Sequence, residues 1–125
     1  MTVLIDSDVL IEVSRGRNSQ LISIWHELSL TDAAILCSPV NVAELWSGAR
    51  PSEHEVLEKL FEAIICVPID RQVGRRAGSY LQQYRKSHGV EIADAFIAAA
   101  AVESEAALWT LNRKHYPMKE LDFFR

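Results

Sequence analysis

Three acidic residues stand in apolar company. Asp6 closes the run Val3-Leu4-Ile5, Glu44 lies between Val42 and Leu45-Trp46, and Asp94 sits among Ile92, Ala93, Ala95, Phe96 and Ile97. An ionised carboxylate in such surroundings is costly unless a cation pairs with it or a metal binds it. No matching set of basic residues flanks the three, so the economical reading is that they converge on a divalent cation. Hard oxygen donors in that number suit Mg²⁺ or Mn²⁺, which retain waters and act on phosphates.

The segment after the last apolar run adds groups of the opposite kind. Thr110 and Asn112 can hydrogen-bond a phosphate or a carboxylate, or simply close a turn, and Arg113, Lys114 and His115 follow directly. Arg113 and Lys114 are read as a grip on a phosphate backbone beside the cation. Arg71, Arg75, Arg76, Arg85 and Lys86 share one helix and are read as a solvated face first, and as further grip second. Asp8 and Asp70 are read as helix caps. Cys37 and Cys66 have no CxxC or zinc-ligand spacing and are read as free, buried small hydrophobes. Trp25 and Trp46 fall on apolar helical faces, as core or interface residues.

The elements that must position these groups alternate in kind. Strands are predicted near residues 2–6, 34–38, 65–69 and 107–111. Between them, Ser7 or Asp8 caps a helix that stops at Gly16, and further helices fit 21–30, 40–49 and 51–64. Asp70 caps a long helix that runs to about Ser87, before Gly89, and residues 92–103 form a helix apolar almost all round. This is an α/β pattern with a central, mostly parallel sheet of four to five strands flanked by helices, in a single domain over residues 1–125. Ligands of such sheets lie beyond the carboxyl ends of the strands.

Composition narrows the function class. With 49% hydrophobic and 24% charged residues the chain is neither disordered nor fibrous. A net charge of −4 excludes a clamp that holds nucleic acid by bulk charge, so any such role needs a local site. The apolar stretch Ala95–Val102 is too short to span a bilayer, and the start of the chain has no basic, apolar leader. The expected setting is the cytoplasm, away from membranes.

Over nearly its whole length the chain resembles the PIN-domain ribonucleases, and among them the VapC-type toxins of bacterial toxin–antitoxin pairs. The resemblance is carried by Leu4-Ile5-Asp6-Ser7-Asp8-Val9-Leu10-Ile11, Val42-Ala43-Glu44-Leu45-Trp46-Ser47-Gly48-Ala49, Ile92-Ala93-Asp94-Ala95-Phe96-Ile97-Ala98-Ala99-Ala100-Ala101 and Thr110-Leu111-Asn112-Arg113-Lys114-His115-Tyr116. It implies a PIN-like fold, with Asp6, Glu44 and Asp94 as the catalytic, metal-holding acids and Mg²⁺ or Mn²⁺ as cofactor. It implies an endoribonuclease acting on an RNA of the tRNA, rRNA or mRNA class, a homodimer, and silencing by a VapB-type antitoxin. The apolar helices near 21–30 and 52–64 are the expected antitoxin contact. Many relatives have a fourth acid where this chain has His115, which is read as a substrate-side group. Two other readings stand beside this one: a catalytically lapsed PIN-like binding module, and a phospho-receiver domain with Asp70 as acceptor.

Overall fold

The computed structural model describes all of residues 1–125. β1 (Thr2–Ile5) lies inside the sheet, paired in parallel with β2 (Ala34–Cys37) on one side and β4 (Ala107–Trp109) on the other. β3 (Ile65–Cys66) adds to the outer edge of β2, which gives the order β3-β2-β1-β4. All pairings are parallel. The direction of strand order changes at β1, and there the carboxyl ends of β1 and β4 open side by side.

Alternation along the strands divides the interior in two. Leu4, Leu36 and Leu108 face α5 (Arg71–His88) and α6 (Ile92–Glu103), packing with Val73, Ala77, Tyr80 and Ala98. Val3, Ile5, Cys37 and Trp109 face the opposite layer. There α1 (Ser7–Arg15), α2 (Ser19–Ser29), α3 (Pro39–Ser47) and α4 (His54–Glu62) contribute Val9, Leu10, Leu21, Leu28, Leu45 and Leu57. A sheet covered on both faces needs apolar residues at both parities, which is why these strands read as continuous apolar runs.

Several boundaries differ from expectation, each for a local reason. β1 stops at Ile5 because Asp6, not Ser7 or Asp8, is the N-cap of α1, accepting from the Ser7 backbone N–H at 2.8 Å. β2 stops at Cys37 because Ser38 caps α3 in a reciprocal capping box with Asn41. β3 covers only the first two residues of the expected 65–69 strand. Pro68 has no N–H for a ladder, and the last cross-strand bond is Val67 N–H to Cys37 C=O at 2.9 Å. The expected helix over 51–64 is split into a 3₁₀ turn, Pro51–Glu53, and α4. The 107–111 strand ends at Trp109, where Thr110 turns its hydroxyl inward.

Two readings of burial are corrected. Cys37 is buried, its thiol pushed up to about 12 by burial and by its register partner Cys66, but Cys66 itself is exposed on the edge strand. Helix α6 is buried along Ala95 and Ile97–Ala101, yet Ile92 in its first turn is 62% exposed. That exposed turn is where Asp94 emerges. The C-terminal tail runs beside β4, with Leu108 N–H bonded to Asp122 C=O at 2.8 Å and Phe124 N–H to Leu108 C=O at 2.9 Å, and so covers that sheet edge. No helix is long and apolar enough to cross a membrane.

Candidate active site

A cavity of about 280 Å³ opens at the carboxyl ends of β1 and β4, lined by Asp6, Ser7, Asp8, Glu44, Gly89, Glu91, Asp94, Asn112, His115 and Tyr116 among others. Asp6 reaches it from the end of β1, Glu44 from α3 and Asp94 from the first turn of α6. Between α5 and α6 the chain turns through Gly89, whose φ of 65° is a left-handed conformation that side chains disfavour.

Asp6 is held in one orientation. Its Oδ1 accepts from Ser7 N–H at 2.8 Å, and its Oδ2 accepts from the hydroxyls of Thr110 and Tyr116, each at 2.8 Å. The carboxylate is buried, and the donors come from parts of the chain 104 and 110 residues away. The Tyr116 hydroxyl is pushed far above its usual range by burial and by the Asp6 charge, so it stays a proton donor. Glu44 is tied by a second network. Ser7 Oγ donates to Glu44 Oε1 at 2.7 Å and accepts from Asn41 Nδ2 at 2.9 Å. Asn41 Oδ1 in turn accepts from Ser38 N–H at 2.8 Å. The Glu44 residue is exposed, which corrects its reading as a core position. Ser38 and Asn41 are fully buried and rigid behind it.

Asp94 accepts from Glu91 N–H at 3.2 Å, and burial is the largest cause of its raised pKa. His115 Nδ1 stands 3.9 Å from Asp94 Oδ1 and draws that pKa back down. Asp8 joins this set rather than capping α1. Its Oδ1 accepts from Val9 N–H at 2.7 Å and its Oδ2 from Leu111 N–H at 3.1 Å. Burial and the neighbouring Asp6 charge raise its carboxyl to about 6. Asp70 does cap α5, accepting from Val73 N–H at 3.0 Å, and lies outside the cavity. It is no part of an acidic pocket of the kind a phospho-receiver needs.

Among the basic and polar residues of the last segment, Asn112 and His115 line the cavity. Thr110 serves Asp6 from behind, and Arg113 stacks its guanidinium 4.8 Å from the Phe123 ring centre. Neither Arg113 nor Lys114 lines the cavity, contrary to expectation. On α5, Arg76 is engaged by Glu103 and Glu120. Sequence reasoning missed Asp8, Tyr116, Ser7 and Asn41. The one signal for them was Asn41 itself, an amide between Val40 and Val42 in the first turn of α3.

Whether these residues fit a divalent cation turns on charge and donor type. No Lys or Arg ion pair reaches Asp6, Asp8, Glu44 or Asp94; the His115 ring is the one basic side chain paired with any of them. Burial first, and the Asp6 charge after it, raises Asp8 and Asp94 above the ordinary carboxylate value. The side chains do not close into a ready cage of three ligands. A small hard cation does not need one, since it keeps most of its waters and takes one or two carboxylates directly. A cavity of this size, rich in carboxylates and roomy enough for bound waters, fits such an ion.

Known proteins resemble this chain in sequence and in fold. Residues 3–122 match the PIN domain family. The chain is 35% identical over 119 residues to "Ribonuclease VapC10" of Mycobacterium tuberculosis, covering 94% of this chain and 88% of that protein. It is 33% identical over 116 residues to "Ribonuclease VapC19" of the same organism, covering 92% of each. In fold it is similar to a chain of VapBC2 from Rickettsia felis, solved bound to a DNA fragment from its promoter, with a TM-score of 0.84 at 17% identity over 99% of this chain and 98% of that one. With its acids gathered at the switch point of a parallel sheet and this match along nearly all its length, the chain belongs to the PIN-domain family, alongside the VapC ribonucleases.

Proposed function

We propose that this chain is a divalent-metal-dependent endoribonuclease, the toxin of a VapBC-type pair, acting as a single unit over residues 1–125. The observation that carries the reading is the meeting of Asp6, Glu44 and Asp94, from three separate elements, in one cavity without a Lys or Arg to neutralise them. Support comes from relatives named as ribonucleases at 33–35% identity.

Asp6 and Asp94 would hold the cation, Mg²⁺ or Mn²⁺, with Asp8 and Glu44 beside them. When bound, the cation supplies Lewis-acid chemistry: it acidifies water and offsets charge on the attacked phosphate. The chain's own residues do the rest. Glu44, fixed by Ser7 and Asn41, orients a water and takes its proton as general base. The water oxygen attacks phosphorus in line as the bond to the leaving ribose oxygen breaks. His115 faces the substrate side, where as imidazolium it contacts the phosphate or gives its proton to that leaving oxygen. Asn112 donates to the substrate phosphate, while Thr110 and Tyr116 keep Asp6 aimed.

Toxins of this kind act in the cytoplasm on tRNA, rRNA or mRNA, work as homodimers, and are silenced by a VapB-type antitoxin. The exposed apolar residues Leu30, at the end of α2, and Val56, in α4, support an antitoxin contact on those helices. The deciding experiment is induced expression in a bacterial host with mapping of new RNA 5′ ends, alongside cleavage by purified protein in Mg²⁺, Mn²⁺ and EDTA. Defined new ends that vanish in Asp94→Asn support the reading. Binding of RNA without cleavage in either metal would leave a lapsed binding module instead.

A further inference from the structure

Away from the acids, three arginines gather at the far end of α1. Arg15 ends the helix, Gly16 reverses the chain with a φ of 64°, and Arg17 follows at once. Arg50 approaches from the loop after α3, and the three line a cavity of about 390 Å³ with Ser14, Ser52 and Glu53. Glu53 is the strut of this cluster. One of its oxygens accepts from Arg50 N–H at 3.0 Å and the other lies 3.5 Å from Arg15 Nε. Arg17 and Arg50 have no carboxylate within ion-pairing distance of their guanidinium groups. Three cations against one anion leave a local excess of positive charge on a chain whose net charge is −4.

The cluster lies beside the acidic cavity. A small hollow of about 50 Å³ between α1 and α3 is lined by Ile11, Ser14, Arg15, Glu44 and Gly48 among others. Glu44 lines this hollow and the acidic cavity, whereas Ser14, Arg15 and Glu53 line it and the arginine cavity. Both ends lie along one helix: Arg15 is seven positions after Asp8, about 10 Å of α1 at 1.5 Å per residue. A single strand whose scissile phosphate lies at the acids brings its neighbouring phosphates within that reach. Arg113 and Lys114, the basic residues nearest in sequence to the acids, do not line the cavity. On α5, Arg76 is already committed to Glu103 and Glu120.

We propose that Arg15, Arg17 and Arg50 form a phosphate subsite that holds single-stranded RNA flanking the scissile bond, with Glu53 setting its shape. The inference rests on the ribonuclease reading of the acidic cavity and assigns the course of its substrate. An extended polyanion with regularly spaced phosphates can meet the arginines and a cation among the acids together, since the two lie about 10 Å apart along α1.

The test uses the full chain and a fluorescein-labelled single-stranded RNA of mixed sequence, with binding followed by anisotropy in EDTA so that cleavage is suppressed. Arg15→Gln/Arg17→Gln/Arg50→Gln is compared with a control of equal charge loss, Arg71→Gln/Arg75→Gln/Lys119→Gln. The arginine-cavity variant should bind about ten- to a hundred-fold more weakly, and its log–log salt slope should flatten by about 2, at roughly 0.7 for each phosphate no longer neutralised. The control should lose much less of both. Unchanged affinity and slope in the first variant, equal losses in the two, or no RNA binding by the parent protein would each overturn the subsite. A parent that binds RNA with this slope yet cleaves none in Mg²⁺ or Mn²⁺ would sink the ribonuclease reading while leaving the subsite standing.

Discussion

Ser7 Oγ donates to Glu44 Oε1 at 2.7 Å, tying the first turn of α1 to α3 across 37 residues of chain. The same oxygen accepts from Asn41 Nδ2, so its proton has one direction in which to point. The proposed general base, otherwise exposed, is thereby kept in one orientation. Ser7→Ala removes the donor and leaves the rest of α1 intact, because the cap of that helix is Asp6. The expected result is a fall in kcat of about ten- to a hundred-fold, with KM nearly unchanged. Ser7→Thr, which keeps the hydroxyl, should recover most of the loss. A KM effect of equal size, or no rescue by Thr, would contradict a positioning role.

Asp94 gives the cleanest separation of activity from folding. Its carboxylate is disfavoured chiefly by burial, and the bond from Glu91 N–H can be accepted equally well by an amide oxygen. Asp94→Asn should therefore abolish nearly all cleavage while its Tm in EDTA stays equal to the parent's or rises. EDTA should silence the parent protein, and added Mg²⁺ or Mn²⁺ should restore it. Substantial cleavage by the variant, or by the parent in EDTA, would remove the metal-site reading.

Asp8 predicts a pH dependence of the cation-free chain. Its folded carboxyl titrates at about 6 against a reference value of 3.8, so the folded state holds the proton more tightly than the unfolded. That contribution to stability is fully present below the unfolded value and is lost as pH rises through the folded one. In EDTA, the stability of the parent relative to Asp8→Asn should therefore decline between about pH 4 and 6 and level off above. Denaturant melts of both proteins across that range give the difference directly. A flat difference would mean that Asp8 is not held against Asp6 as the geometry indicates.

Much of this was legible in the chain. The alternation of short apolar runs with capped helices specified the parallel sheet, because strands covered on both faces must be apolar at both parities. Asp6 and Asp94 were legible as site residues because an acid bordered by core residues demands a reason. Asp8 was not, since an acid in the first turn looks the same whether it caps a helix or faces a cavity. Its role depends on Leu111 N–H, which arrives from 103 residues away. Tyr116 was hidden for the same reason, whereas a carboxylate was among the expected partners of the Thr110 hydroxyl, which is found on Asp6. Arg113 misled through adjacency: nearness in sequence to Asn112 and His115 did not prevent it from stacking on Phe123. The edge strand was overextended because Ile69 continues an apolar run that Pro68 has already ended for hydrogen bonding.

His115 stands 3.9 Å from Asp94 with its side chain 57% exposed. At that separation it is an electrostatic neighbour of Asp94 rather than a tight hydrogen-bond partner. A neutral imidazole is a poor ligand for Mg²⁺, and the cavity already has carboxylates enough to hold one hard cation. The exposed ring is free to meet the substrate, as a contact to phosphate or as the acid for the leaving oxygen. His115→Ala should then weaken cleavage by about ten- to a thousand-fold. Metal affinity measured by calorimetry without RNA should barely change. His115→Gln, which keeps a hydrogen-bond donor but cannot titrate, separates the two substrate-side roles. Recovery by Gln assigns a phosphate contact, whereas loss equal to Ala, with the basic limb of the pH–rate profile removed, assigns a proton donor. A large fall in metal affinity in either variant would make His115 a ligand after all.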